Sequence, residues 1–462
     1  MSHMMHGNMS AYGVLDRTLM DILKAVNPSQ EDWMKRVKLI EDLEVAVRSL
    51  ENLRGATVEP FGSFVSNMFS RWGDLDISLM FTTGSYISFA GKKRKQAILE
   101  ELLLALRRQG GWRRLRYIAD ARVPILKLEY GYPGISCDIS IDNLQGQLKS
   151  KFLYWINEID GRFRDMVLLV KQWAKAQNIN NPKIGTFNSY SLSLLVIFHF
   201  QTCVPAILPP IRDIYPRNAA DDLIGVRSEA ETYIEETCRA NIARYLSDKS
   251  RVINRSSLAE LFTSFLVKFS DINLKAGTLG ICPFNGRWED IKSNTRWLPR
   301  TYALFIEDPF EQPENTARSV SAGNLGKISQ AFQSAWQTTL SFSNQISLLC
   351  SLAGPELTYL ITGIPVGMPS GHHFNAYSRS SSGGNTHSGA HHRFLKGGTD
   401  NSSSLKRTKA SPNGFARKNQ ETRPAIPTNQ RQEGRRNNFA KDGSTRQPQS
   451  QGQQMWRPKS EK

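Results

Sequence analysis

The chain is poor in paired cysteines. Its five cysteines, Cys137, Cys203, Cys238, Cys282 and Cys350, are scattered over 462 residues, and no Cys-x-x-Cys occurs. Such spacing excludes a zinc ribbon and a disulfide framework, and predicts free thiols in a reducing compartment. Long apolar runs are missing as well. The most apolar stretch, Leu192 to Phe200, is interrupted by His199 and followed by Gln201 and Pro205. A bilayer needs ~20 apolar residues, so this stretch is too short to span one. The start of the chain has no basic-then-apolar segment, and a soluble, intracellular protein is expected. Acidic charge is in deficit: 59 Lys and Arg face 42 Asp and Glu, a net +17. The surplus is uneven. Gly371 to Lys462 holds 17 basic and 5 acidic residues, +12, leaving 42 basic and 37 acidic elsewhere, +5. Excess of this kind suits a polyanion such as RNA.

What the chain does have is periodicity. Leu15, Leu19, Ile22, Leu23 and Val26 recur at helical spacing, Asn27-Pro28-Ser29 breaks the pattern, and Trp33 to Leu50 resumes it. Residues 54–142 alternate strand-like runs with a basic helix, roughly Gly91 to Arg108, which predicts a mixed α/β unit. From Leu148 the pattern is mainly helical, with core-type helices over Met166 to Ala176, Tyr190 to Phe200 and Leu258 to Phe269. Trp288 through Phe305 reads as extended, and Asp308-Pro309-Phe310-Glu311 as a turn before a last helix. Beyond about Ala353, Gly, Ser, Asn, Gln and Arg dominate, a composition that cannot offset the entropy of ordering.

Chemistry concentrates in Phe61-Gly62-Ser63-Phe64 and Arg71-Trp72-Gly73-Asp74-Leu75-Asp76. Gly62 lets the backbone approach a phosphate chain, and Ser63 offers a hydroxyl and an N–H. Strand alternation puts Asp74 and Asp76 on one face, with Leu75 and Ile77 turned to the core. Two carboxylates so close repel unless a hard cation sits between them. Asp138, in the apolar run Ile135 to Ile141, supplies a third carboxylate on a neighbouring strand. Lys171 and Lys175 share a helix face at i, i+4, so both amines can reach one triphosphate; two solvated lysines fit the same spacing.

This combination resembles the polymerase-β-type nucleotidyltransferases, in their template-independent RNA-tailing branch. From about Leu15 to Val320 the chain is similar to the plant small-RNA terminal uridylyltransferases. The likeness is carried by Leu53-Arg54-Gly55-Ala56-Thr57-Val58 through Asp76, by Ala121-Arg122-Val123-Pro124-Ile125-Leu126-Lys127, and by Gly185-Thr186-Phe187-Asn188-Ser189-Tyr190-Ser191. The fold it implies is α+β. N-terminal helices (1–50) would pack on the helical domain. A mixed-sheet catalytic domain (51–147), a helical poly(A)-polymerase-associated domain (148–352) and a disordered basic tail (353–462) would follow.

The resemblance also implies roles. Asp74, Asp76 and Asp138 would hold two Mg²⁺ or Mn²⁺ ions, with Asp138 assisting deprotonation of the RNA 3′-hydroxyl. Gly62, Ser63, Lys171, Lys175 and Ser189 would meet the triphosphate of UTP, Tyr190 would stack on the base, and Asn143 would contact the ribose. Asp308, Glu311, Glu314 and Arg318 match a base-recognising loop. Here the chain departs from the pattern: Glu314 stands where many uridine-adding relatives carry a uracil-selecting His. Lys149 stands where many have a ribose-binding Asn.

The implied activity is uridylylation of small RNAs with unprotected 3′ ends, marking them for decay. An argonaute-type protein partner, a monomeric state, and residence in nucleus and cytoplasm go with it. An ATP-using noncanonical poly(A) polymerase and an inactive RNA-binding scaffold are the alternatives.

Overall fold

Asn27-Pro28 separates the first two helices, and Ser29 starts the second. In the computed structural model, residues 2–81, 87, 91–132, 134–297, 301–341 and 344–366 are described; all lie in the first of two units, Met1–Ser382. Helix α1 (Ser2–Val26) ends before the break, and α2 (Gln30–Arg48) begins with a reciprocal cap. The Ser29 hydroxyl accepts from the Asp32 N–H at 3.2 Å, and the Asp32 carboxylate accepts from the Ser29 N–H at 2.8 Å.

The sheet has five strands: β1 (Ala56–Phe61), β2 (Leu75–Phe81), β3 (Trp112–Ile118), β4 (Ile125–Tyr130) and β5 (Ile135–Ile141), in the order β1-β2-β5-β4-β3. Only β2 and β5 run parallel; the other pairs are antiparallel. The basic helix α3 (Lys92–Gln109) covers one face and buries Ile98, Leu99, Leu102, Leu103 and Leu106. Its lysines and arginines at 92–94, 107 and 108 form an exposed face. Alternation along β2 buries Leu75, Ile77 and Leu79 in this core.

The helical part comprises α4 (Leu144–Asn157), α5 (Arg162–Ala176), α6 (Ser189–Thr202), α7 (Ile211–Ile214), α8 (Arg227–Ser247), α9 (Leu258–Phe269) and α10 (Ile272–Lys275). A small hairpin, β6 (Leu279–Cys282) with β7 (Arg287–Asp290), follows, and then α11 (Ala322–Ser341), α12 (Gln345–Ala353) and α13 (Pro355–Thr362). Helix α6 is apolar around its whole circumference and is buried from Ser191 to Gln201, the central rod of the larger core.

The structure corrects the sequence reading at several places, among them Trp288 through Phe305, where the strand ends at Asp290 and Thr295–Trp297 is a 3₁₀ turn. Helix α2 does not pack on the helical domain: its Leu39, Leu43, Ala46 and Val47 belong to the core of the sheet, and only α1 joins the helices. The last helix is three helices. Order also runs past Ala353, because α13 buries Leu357 in the helical core. The basic tail from residue 367 lies outside the described residues. Among the described residues no helix is long and apolar enough to cross a membrane.

Candidate active site

The parallel pairing of β2 with β5 sets Asp76 directly opposite Asp138. Burial and the charges of Asp138 and Asp74 push the Asp76 carboxyl up to about 7. Asp74 lies one residue ahead of β2, exposed, rather than within the strand. Gly62 closes the other side. Its φ is +70°, and a Cβ there would meet Asp76 Oδ2 at 2.2 Å, so only glycine fits beside the carboxylate. The Gly62–Met68 turn coils back on itself, with the Ser63 carbonyl accepting from the Met68 N–H at 2.8 Å.

Asp138 is met by a residue absent from the sequence-derived set. Lys127 of β4, opposite Asp138 in register, places Nζ 2.5 Å from its Oδ1. The signal for it was a single cation in the apolar strand Ile125-Leu126-Lys127-Leu128. Burial raises the Asp138 carboxyl above its ordinary range, and Lys127 opposes that rise. No cage of three or more His, Cys, Asp or Glu side chains is preformed among the described residues. The donors nevertheless suit a hard divalent cation: two facing carboxylates that repel each other, a third next to them, and a glycine cradle without a side chain. A cation arriving there would take over the neutralising role of Lys127.

Lys171 donates to the Met68 carbonyl at 3.1 Å, which ties α5 to the Gly62–Met68 turn. Burial and its neighbour Lys175 pull its amine down to about 8, against the attraction of Asp76. Lys175 follows one turn later on the same face, exposed. Ser189 opens α6, with its hydroxyl within hydrogen-bond distance of the Asn180 side chain at 3.3 Å. Asn143 caps α4 with its side-chain oxygen, accepting from the Gly146 N–H at 3.1 Å.

Helix α4 joins this cluster to a second one. The Ser150 hydroxyl accepts from the Gly62 N–H at 2.6 Å. The adjacent Lys149 puts Nζ 2.6 Å from Asp308 Oδ2 and 2.6 Å from Glu311 Oε2. The Tyr190 hydroxyl donates to Asp308 Oδ1 at 3.1 Å, and burial together with that carboxylate pushes the phenol well up. From the catalytic domain Arg122 reaches across to Glu311 at 3.1 Å and Glu314 at 3.3 Å, and Arg318 meets Glu314 at 3.3 Å. The loop carrying these acids is pinned by buried Asn315. Its Oδ1 accepts from the N–H groups of Ile306 and Ala317, and its Nδ2 donates to the Leu304 carbonyl at 2.9 Å. Gly62, Asp76, Asp138 and Lys171 fall in one cluster and Tyr190, Asp308, Glu311, Glu314 and Arg318 in a second, with α4 touching both; Ser189 and Asn143 bond Asn180 and Gly146 instead. Lys127 and Arg122 complete the two clusters.

A mixed sheet with acids on adjacent strands, facing a glycine turn and a helical domain, defines a polymerase-β-type nucleotidyltransferase. Residues 15–158 match the family described as poly(A) RNA polymerase, mitochondrial-like, central palm domain. The chain is 58% identical over 367 residues to the protein HESO1 of Arabidopsis thaliana, covering 79% of this chain and 72% of that one. Solved structures of the Cid1 poly(U) polymerase match with a TM-score of 0.55 at 22% identity, over 71% of this chain and 95% of that one. The mtPAP structure with UTP matches at 0.56 and 20%, over 75% and 72%. The chain belongs to the HESO1 family and is a terminal nucleotidyltransferase.

Proposed function

We propose that the protein is an RNA uridylyltransferase that adds UMP from UTP to the free 3′-hydroxyl of small RNAs, promoting their decay. The observation that carries the chemistry is the register of Asp76 opposite Asp138, with Gly62 against Asp76 and Lys171 on the same turn. Asp74, Asp76 and Asp138 would hold divalent ions, Mg²⁺ or Mn²⁺, which when bound supply Lewis acidity to the 3′-hydroxyl and the triphosphate. Lys171 and Lys175 would neutralise the phosphate chain, and Ser63 would receive it with its N–H and hydroxyl, the Gly62 N–H being held by Ser150. Tyr190 offers a stacking face for the base, worth about 1–3 kcal/mol.

The HESO1 relationship supports uridine as the nucleotide. Selection would be by the state of the 3′ end, an unmethylated ribose being accepted. Delivery by an argonaute-type partner, action as a monomer, and residence in nucleus and cytoplasm complete the proposal. The test is tailing of matched RNAs with free and 2′-O-methylated 3′ ends, with UTP and ATP in competition. UMP addition to the free end alone is expected, and Asp74→Ala with Asp76→Ala should abolish it. Preference for ATP would reverse the nucleotide assignment, and tailing by the double variant would sink the metal assignment.

A further inference from the structure

Glu314 occupies the place of a uracil-selecting His, yet its carboxylate is engaged by two guanidinium groups, Arg122 at 3.3 Å and Arg318 at 3.3 Å. A carboxylate is an acceptor only, and uracil offers acceptors at its 2- and 4-oxygens. Glu314 can accept from the N3–H of uracil but has no hydrogen to give its 4-oxygen, so it is unsuited to reading that oxygen. The donor must come from elsewhere.

Lys149 is the cation in the right place. Its Nζ is 5.5 Å from the centroid of the Tyr190 ring. It lies over the ring and shares Asp308 with the Tyr190 hydroxyl, so a base brought to Tyr190 comes within its reach. An ammonium has three N–H bonds. Two are directed to Asp308 and Glu311 at 2.6 Å each, which fixes where the third lies. We propose that Lys149 is the specificity-determining residue for uracil, donating its third N–H to the 4-oxygen of the base. The inference rests on the uridylyltransferase reading and names the group that enforces it.

Several observations support the assignment. Burial alone would lower the Lys149 amine, but Asp308 and Glu311 reverse that and hold it above its ordinary value, so it remains a donor throughout the working range. Glu311 is itself held by Arg122 from the catalytic domain, so the lysine is positioned from both sides of the cleft. Cytosine and adenine carry amino groups where uracil carries the 4-oxygen. Against an ammonium such a donor finds no partner and leaves the lysine unsatisfied. A site built around one hydrogen bond rejects the analogue that cannot make it far more strongly than a merely apolar pocket does. CTP is the informative competitor, since it matches UTP in size.

The experiment measures kcat/KM on one RNA primer for UTP, CTP, ATP, 2′-deoxy-UTP, 4-thio-UTP, which keeps the N3–H and replaces the 4-oxygen by a weaker acceptor, and 2-pyrimidinone ribonucleoside triphosphate, which lacks both the 4-oxygen and the N3–H. The wild-type chain is expected to favour UTP over CTP and over the pyrimidinone by about tenfold or more. Lys149→Met should lower both ratios by about tenfold while leaving the ratio of UTP to 2′-deoxy-UTP in place. Removing the lysine leaves Asp308 and Glu311 facing each other, so Lys149→Met combined with Glu311→Gln is the companion variant. Equal wild-type use of UTP and the pyrimidinone overturns the proposal without any variant. So does a Lys149→Met protein that keeps the UTP/CTP ratio, or one that loses ribose discrimination instead. Wild-type preference for ATP over UTP defeats the uridylyltransferase reading itself, a result distinct from all of these.

Discussion

Gly62 shows how narrow the tolerances are around the acids. Its backbone adopts φ +70°, a region that costs an L-residue about 1 kcal/mol or more, and its missing side chain is the space that Asp76 Oδ2 fills. Gly62→Ala therefore brings two penalties, a strained backbone and a Cβ 2.2 Å from the carboxylate oxygen. The cheapest relief is rotation of Asp76 away from Asp138. A displacement of about 1 Å in a reacting centre costs roughly 10²-fold in rate. The expected outcome is a fall in kcat of that order, with the secondary-structure signal and the RNA affinity retained. Full activity in the alanine variant would show that Asp76 has room the structure denies it. At the same scale, Asp76, Asp138 and Gly62 were legible in the sequence because each is an exception to its strand, an acid in an apolar run or a glycine at a strand end, while Asp74 stands one residue ahead of β2. Lys127 followed the same rule and was passed over. Its pairing with Asp138 depends on the register of β4 against β5, which a linear pattern does not supply.

At the scale of elements, α6 is the most demanding helix, because its apolar circumference includes a histidine. His199 is wholly buried, with Nε2 3.2 Å from the Ser264 hydroxyl and Nδ1 without a partner. Burial and the nearby Lys268 of α9 depress it to about 3, while a backbone contact at Leu261 opposes the shift. The folded chain thus keeps it neutral, whereas the unfolded chain protonates it near 6.5. Stability from this residue is complete above pH 6.5 and is lost as the pH falls toward 3, because only the unfolded state takes up the proton. His199→Phe should flatten the pH dependence of the urea midpoint between pH 6 and 4 by up to one proton, about 1.4 kcal/mol per pH unit. An unchanged slope would mean that the imidazole is not kept neutral.

The same scale explains which helices could be read in advance. Helices α5, α6 and α9 bury broad stripes; the pattern gives α9 to the residue and α6 within two, whereas α5 starts at Arg162, four residues before the expected Met166. Helix α8 buries only Ala230, Ile234, Cys238 and Ile242, a line one residue wide, and its long polar face hid it. The hairpin of β6 and β7 has only four residues in each strand, too few for alternation to declare itself. Helix α2 was located correctly but assigned to the wrong neighbour, since an apolar stripe does not say which core it joins.

For the whole molecule the question is how two cores act on one RNA end. The sheet and the helices are tied by ionic links as well as by Met68 and Met80, which enter the helical core. Arg227 of α8 meets Glu59 of β1 at 2.7 Å, Gln147 of α4 donates to the same carboxylate at 2.7 Å, and Arg122 spans to Glu311 and Glu314. These links hold the nucleotide clusters together but contribute little net positive charge, since each cation has an acid beside it. Residues 1–370 hold 42 basic and 37 acidic residues, whereas Gly371 to Lys462 contributes +12. Polyanion attraction should then reside mainly in the terminal segment. Each neutralised phosphate of a single strand contributes about −0.7 to the slope of log K against log salt. Deleting residues 371–462 is expected to weaken RNA binding and flatten that slope, while kcat at saturating RNA stays close to that of the full chain, because the acids and lysines of the site are untouched. Binding measured at several salt concentrations, with turnover measured alongside, separates the two effects. Equal slopes for the full and shortened chains would move the RNA contact back to the cleft and to the exposed basic face of α3.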